Sequence, residues 1–161
     1  MPIKGLKDNT IKTSIAALNA CLADAIALRM AIKQAHWTVK GPSFIAVHEL
    51  FDAVAARIAD QADVMAEQVQ TLSGQAMGTL EAVARAAKMK PYPADLVKEA
   101  DHIRAVCDRI ADVGARVRQA ISEVGDAGDQ DTMDIFIGFS RQLDKDLWFI
   151  ESHLGEPPKF A

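Results

Sequence analysis

The 161-residue sequence has only two cysteines, few aromatic side chains and no strong excess of charge of either sign. Cys21 and Cys107 form no C-x-x-C pair, so the sequence indicates neither a zinc ribbon nor a disulfide scaffold. Both lie in helical patterns, so we expect them to be small core residues. We also expect them to stay reduced, as in a reducing compartment. The net charge of −4 argues against a surface that is basic everywhere.

The N-terminal residues also lack the apolar run and the cleavage site of a signal peptide. The stretch 14–32 is fairly apolar, but Asn19, Asp24 and Arg29 interrupt it, which favours a buried helix over a membrane span. We therefore expect a cytoplasmic protein without a membrane partner. A single domain should cover residues 1–161, with a short flexible tail at 1–8 and a C-terminal tail at 156–161.

Alanine is abundant and the β-branched residues do not alternate along the chain, which favours helices. Four long helices are predicted, over about 8–39, 43–72, 94–124 and 131–154, and Ser43 is expected to cap the second. Glycines and prolines separate these helices. The expected core positions of the third helix follow steps of four and three: Leu96, Ala100, Ile103, Cys107, Ile110, Gly114, Val117, Ile121 and Val124.

The connector 74–93 between the second and third helices is too long for a link between antiparallel neighbours, and its middle, 79–88, has the composition of a short helix. Such a link lets the second and third helices run parallel. The predicted fold is therefore all-α: a ferritin-like four-helix bundle whose one long crossover contains a short helix.

Two pairs of potential metal ligands lie in the second helix. His48 and Asp52 are four residues apart, as are Asp63 and Glu67, so each pair projects from one helix face. The pairs are separated by roughly 22 Å along the helix and by about 60° around it, so one metal ion cannot contact both. Two antiparallel copies of the helix would bring each pair opposite the partner's other pair. The spacing predicts a metal site at a two-fold subunit interface, and His36 could join it.

Ordinary explanations exist for each part of this set. His36 beside an aromatic residue is most often structural, His48 and Asp52 could be a hydrogen-bonded surface pair, and Asp63 with Glu67 could be a solvated acidic stripe. The combination is harder to dismiss, because imidazoles with carboxylates suit Fe(II), Mn(II) or Zn(II). A di-iron site in the bundle core needs two Glu-x-x-His motifs. The sequence has only Glu99 with His102, which lie off the core positions and are expected to form a surface pair.

Several segments of the sequence together resemble the Dps family (DNA-binding protein from starved cells). These are QAHWTVKG at 34–41, FIAVHE at 44–49, Asp63 with MAE at 65–67, TLSG at 71–74, PYP at 91–93, DTMDI at 131–135 and RQLDKDLWFIES at 141–152. The resemblance covers nearly the whole chain, and the spacing of the ligand residues is its most specific part.

This resemblance implies a hollow dodecamer built on two-fold dimers. It implies a ferroxidase that oxidises Fe(II), preferentially with hydrogen peroxide, stores the iron as a ferric mineral and thereby protects DNA. By position, His36, His48 and Asp52 would come from one subunit, and Asp63 and Glu67 from its neighbour. Trp37 is expected to pack at the dimer interface, or alternatively to donate electrons to stray oxidants.

Five acidic residues lie where the third helix meets the fourth: Glu123, Asp126, Asp129, Asp131 and Asp134. Helix capping explains Asp129 or Asp131 and part of the rest. In Dps-like assemblies this corner lines a three-fold pore, so Asp126, Asp129, Asp131 and Asp134 are candidates for attracting Fe(II).

A nucleoid protein that binds and compacts DNA without sequence specificity is the alternative function. Family members that bind DNA often use a lysine-rich tail, whereas here only Lys4, Lys7 and Lys12 are cationic near the N-terminus. Twelve copies of a chain with charge −4 oppose approach to phosphates, although twelve tails would add avidity. The ligand set favours the iron function.

Overall fold

The computed structural model describes residues 5–157 and 160. Its elements, in chain order, are α1 Asp8–Thr38, α2 Phe44–Thr71, α3 Leu80–Ala86, α4 Glu99–Ala127, α5 Gln130–Glu151 and a 3-10 turn Ser152–Leu154. The predicted all-α bundle with a short helix in its crossover is confirmed. Helix α1 packs against α2 and α4, and α5 packs against α4 and α2.

Helix α1 is long and apolar enough, by composition alone, to cross a membrane. Yet 56% of its most apolar stretch is buried inside the bundle. Leu18, Leu22, Leu28 and Ile32 belong to the hydrophobic core shared by the long helices. The polarity of α1 is therefore that of a core helix with neighbours on two sides.

The crossover is fastened to α1 by polar contacts. Asn19 donates through Nδ2 to the carbonyl of Gln75 and accepts the N–H of Met77. Further along, the N–H groups of Lys88 and Met89 donate to Oδ1 of Asp24 at 2.7 and 3.1 Å. Short α3 begins at Thr79, whose hydroxyl accepts the N–H of Ala82. This fastening lets the chain return to the end of the bundle where α2 began, so that α4 runs parallel to α2.

Helix α4 begins at Glu99, so the predicted start near Ala94 is wrong. The preceding segment instead pairs with the loop after α1. The N–H of Lys40 donates to the carbonyl of Val97 at 3.2 Å, and the N–H of Glu99 donates to the carbonyl of Lys40 at 3.0 Å. This pairing keeps the backbone before α4 extended, and Leu96 is only half-buried there; Ala100, in the first turn of α4, is exposed.

The expected surface pair of Glu99 and His102 is also wrong. His102 is 1% exposed, and Glu99 is half-buried and accepts the N–H of Ser43 through Oε2 at 2.9 Å. Ser43 occupies the N-cap position of α2, but its side chain makes no capping hydrogen bond. His102 is covered by Tyr92, whose hydroxyl lies 2.6 Å from Nδ1 of the imidazole, and Glu99 is held against the loop before α2 by its contact with Ser43.

Neither cysteine is in a disulfide, and both resist ionisation. Cys21 is buried and Cys107 is half-buried. Burial raises the pKa of each thiol to about 12, so neither is a thiolate at neutral pH. The buried place of Cys21 confirms the prediction of a small core residue.

Candidate metal centre

Two histidines form a reciprocal pair where α1 ends and α2 begins. The Nδ1 atom of His36 lies 2.7 Å from the carbonyl oxygen of His48, and Nδ1 of His48 lies 2.7 Å from the carbonyl oxygen of His36. The two rings stack with centroids 3.7 Å apart and planes inclined by 19°. The short loop 39–43 brings them together, although they are twelve residues apart in sequence.

This arrangement fixes the tautomer of both rings. A carbonyl oxygen only accepts, so each Nδ1 must carry the hydrogen that it donates. In a neutral imidazole, Nε2 then keeps its lone pair and is free to bind a metal ion. Such a backbone contact to the other ring nitrogen is the usual support of a metal-binding histidine. The pair is therefore preorganised to present two nitrogen ligands.

Asp52 lies one helical turn beyond His48 and lines the same open depression as both histidines. Its carboxylate accepts a hydrogen bond from Nζ of Lys33 at 2.5 Å, and this contact is the largest cause of a pKa lowered from the ordinary value. The charge on Lys33 also lies 5.7 Å from the ring centroid of Trp37. The carboxylate is thus ionised and paired with a cation that a metal ion would have to displace.

Asp63 and Glu67 are exposed on the same helix, beyond the reach of this group. Within residues 5–157, no three His, Cys, Asp or Glu side chains converge as a metal site would require. Within the chain, His36 and His48 are in contact, Asp52 lines the same depression without converging on them, and Asp63 and Glu67 lie further along α2. Two nitrogens and one oxygen fit a divalent iron, manganese or zinc ion but do not complete its coordination.

Large apolar side chains surround the ligands and are open to solvent. Trp37 and Ile45 are each 60% exposed, Val64 is 42% exposed, and the ring of Phe44 lies 5.0 Å from that of His48. These side chains lie on α1 and α2, beside the candidate ligands. An apolar surround of this kind is typical of a protein interface.

The acidic corner between α4 and α5 divides into one buried and several exposed residues. Asp129 is 1% exposed and caps α5: it accepts the N–H and the hydroxyl of Thr132 and the hydroxyl of Ser14. This burial inside the subunit disfavours Asp129 as a pore-lining residue, because its carboxylate already accepts three hydrogen bonds. The remaining four acids are exposed: Glu123, Asp126, Asp131 and Asp134.

The candidate DNA-contacting lysines lie at the start of α1. Lys7 and Lys12 are exposed, and Lys4 lies outside the described residues. Sequence reasoning missed Lys33 as part of the metal centre. Its spacing of three residues before His36, on the same helix face, was the signal that could have found it.

Comparison with known proteins identifies the family. A family model described as a ferritin-like domain matches residues 15–160. The chain is 46% identical to the DNA protection during starvation protein of Agrobacterium fabrum over 151 residues, which cover 94% of this chain and 93% of that protein.

Comparison with solved structures leads to the same family. A tetragonal form of Mycobacterium smegmatis Dps superimposes with a TM-score of 0.91 at 28% identity, covering 96% of this chain and 93% of that one. Dps from Microbacterium arborescens in its high iron form gives 0.86 at 31% identity, covering 93% and 97%. By family model, by sequence and by fold, the chain belongs to the Dps family of ferritin-like proteins.

Proposed function

We propose that this protein is an interfacial ferroxidase that stores iron and protects DNA from oxidative damage. His36, His48 and Asp52 of one subunit bind Fe(II) together with Asp63 and Glu67 of a two-fold-related subunit. The observation that carries this proposal is the reciprocal histidine pair, which leaves both Nε2 atoms free beside Asp52 while the other two carboxylates stay out of reach. The name of the Agrobacterium fabrum relative supports DNA protection.

The ligand types suit iron as the substrate. Neutral imidazoles hold Fe(II) without excess charge, and carboxylates stabilise Fe(III) as it forms. Hydrogen peroxide, the proposed oxidant, accepts two electrons, one from each of two ferrous ions, and is reduced to water without release of hydroxyl radical. The protein's part is to place the ligands and to exclude bulk solvent between two apolar faces around Trp37 and Ile45.

The proposed assembly is a cytoplasmic dodecamer of two-fold dimers, each chain forming one domain over 1–161, with tails at 1–8 and 156–161. The oxidised iron collects as a ferric mineral in its hollow interior. The exposed acids Asp126, Asp131 and Asp134 would line an entry pore and raise the local concentration of Fe(II). Trp37, beside His36, packs at the two-fold interface in this arrangement.

Co-expression of two inactive variants tests whether the site is shared. One variant carries His48→Ala with Asp52→Ala, and the other carries Asp63→Ala with Glu67→Ala. Alone, each should lose at least about tenfold in the rate of peroxide-driven ferric absorbance, because metal affinity falls. In a random mixture half of the dimers are mixed, and each mixed dimer has one of its two sites intact. Activity should therefore return to about one quarter of the wild-type value.

The matched control is Asp60→Ala, which removes an exposed carboxylate from the same helix and should leave the rate unchanged. Failure of the mixture to recover any activity would contradict a shared site. Full activity of each double variant by itself would reject the ligand assignment. Repeating the assay with dioxygen in place of peroxide compares the two oxidants directly.

Non-specific DNA compaction remains the second candidate function, favoured by the exposure of Lys7 and Lys12 at the start of α1. Contacts to phosphates through these lysines and Lys4 would be electrostatic and weakened by salt. A gel shift at physiological salt would support compaction, whereas binding lost above about 50 mM salt would leave the iron function as the principal one.

A further inference from the structure

The only tyrosine of the chain is hydrogen-bonded to a buried histidine. The hydroxyl of Tyr92, in the segment before α4, lies 2.6 Å from Nδ1 of His102. The ring planes are inclined by 14°, and His102 is 1% exposed. Neither residue belongs to the proposed ligand set.

The protonation states of this pair follow from burial. Desolvation lowers the pKa of His102, so its imidazole is neutral at pH 7, and desolvation raises the pKa of Tyr92 to about 12, so its phenol is protonated. The hydroxyl of Tyr92 therefore donates and Nδ1 of His102 accepts. Nε2 of His102 has no hydrogen-bond partner in the part of the chain that the structure describes. The Asp101 carboxylate opposes this desolvation, because its charge favours the protonated imidazole.

A cation lies over the phenol ring. The guanidinium carbon of Arg109 is 5.2 Å from the ring centroid of Tyr92, and its two terminal nitrogens donate to the carbonyl oxygens of Ala105 and Pro91. A fixed positive charge at this distance disfavours a positive charge on the ring. Loss of an electron from Tyr92 therefore requires simultaneous loss of its proton, and Nδ1 of His102 is the acceptor in place.

The pair lies at the same end of the bundle as the histidines of the proposed iron site. The backbone pairing of Lys40 with Val97 and Glu99 fixes the start of α4 beside the end of α1. His36 lies in the last turn of α1, four residues before Lys40, and His102 lies in the first turn of α4. Because α1 packs against both α2 and α4, one helix, with an axis spacing of about 8–10 Å, separates the pair from the ligand face.

We propose that Tyr92 and His102 form a proton-coupled one-electron donor for the proposed ferroxidase, on which this inference rests. With a single ferrous ion bound, peroxide accepts one electron and yields hydroxide and hydroxyl radical. The radical takes an electron from Tyr92 and a proton from solvent to form water, while the phenol proton moves to Nδ1 of His102. A second Fe(II) then reduces the tyrosyl radical, and the proton returns. The hydroxide takes a second proton from solvent, so the sum is two Fe(II), one peroxide and two protons giving two Fe(III) and two waters.

The test uses the assembled protein loaded anaerobically with one Fe(II) per site, mixed with one equivalent of peroxide and freeze-quenched for electron paramagnetic resonance. A tyrosyl signal is expected in the wild type. Growth with ring-deuterated tyrosine should collapse its hyperfine structure, and because the chain has one tyrosine, this assigns the radical to Tyr92. Tyr92→Phe keeps the ring and should lose the signal, and spin-trapped hydroxyl radical should rise.

Two further variants separate a redox role from a packing role. Trp37→Phe should retain the tyrosyl signal. His102→Gln should remove the exchangeable hyperfine coupling between the phenoxyl radical and its hydrogen-bond partner. If the hydrogen bond had only a packing role, the variant would change the melting temperature alone. Iron oxidation without a tyrosyl signal in the wild type would overturn the inference and leave the ferroxidase standing. Absence of iron oxidation in the wild type would overturn both.

Discussion

The two sides of α1 meet their neighbours in opposite ways. On the crossover side, Asp24 is 4% exposed, and its carboxylate receives two backbone N–H groups and the guanidinium of Arg116 at 2.7 Å. On the ligand side, Asp52 is exposed and has Lys33 as its hydrogen-bond donor, next to an indole that is 60% exposed. Both carboxylates form ion pairs, but only Asp24 is buried and also accepts two backbone N–H groups.

This difference distinguishes a carboxylate that holds the fold from one available to a substrate. A buried charge is tolerated only when its partners are complete, and removal of a partner is then costly. An exposed ion pair contributes little, so its cation can be displaced cheaply by a metal ion. The crossover side is complete within one subunit, whereas in the proposed function the ligand side would gain its remaining carboxylates from a second copy.

Replacement of Asp24 by Ala should have the largest effect on stability. The variant leaves two N–H groups of the crossover and the partly buried Arg116 without their acceptor, although Arg116 keeps Asp112 at 2.9 Å. The free energy of unfolding should fall by about 3 kcal/mol, measured by urea denaturation at a fixed protein concentration.

The matched control for Asp24 is Asp144→Ala. Asp144 pairs with Arg118 at 2.6 Å, but both side chains are about half exposed. Its loss should cost less than about 1 kcal/mol. Equal losses for the two variants would refute the claim that the crossover contact is the one that holds the fold.

Replacement of Lys33 by Met tests the ligand side of α1, where this lysine is paired with Asp52. Lys33 competes with a metal ion for Asp52, so its removal should tighten binding of Zn(II), used as a redox-inert probe, by about fivefold. Lys33→Arg keeps the charge and should bind as the wild type does. Titration against a competing chromophoric chelator measures the affinity. Unchanged or weaker binding in Lys33→Met would show that this lysine does not compete.

Much of the fold could be predicted because apolar periodicity and loop length are local properties of the sequence. These two properties predicted the long helices and the short helix in the crossover. They also predicted that the second and third long helices run parallel. The start of α4 could not, because pairing of Lys40 with the backbone of Val97 and Glu99 joins residues more than fifty positions apart. The surface assignment of His102 was wrong because its contact with Tyr92, in the segment before α4, cannot be deduced from helical periodicity.

The candidate site likewise has some features that local sequence predicts and others that depend on contacts the sequence does not show. The four-residue spacing of His48 and Asp52 predicted a shared helix face, and the need for a second copy followed from helix geometry. The reciprocal contacts of His36 and His48 depend on the geometry of the loop between them, which the sequence does not specify. The saturation of Asp129 likewise depends on Ser14, which is distant in sequence.

The smallest expected effect is a pH dependence of stability from His102. Burial lowers its pKa in the folded chain below the ordinary value of 6.5, so as pH falls through that value the unfolded chain takes up a proton that the folded chain does not. Stability attributable to His102 is therefore present above pH 6.5 and lost as the pH falls towards its folded-state pKa. His102→Gln removes this group and leaves the other histidines in place.

The wild type should accordingly lose more unfolding free energy between pH 7 and pH 5 than His102→Gln, although the variant is less stable at pH 7. Chemical denaturation of the metal-free protein at the two pH values measures the difference. Parallel losses in both proteins would mean that the imidazole is protonated as easily when folded as when unfolded. Its place as a neutral acceptor for the hydroxyl of Tyr92 would then fail.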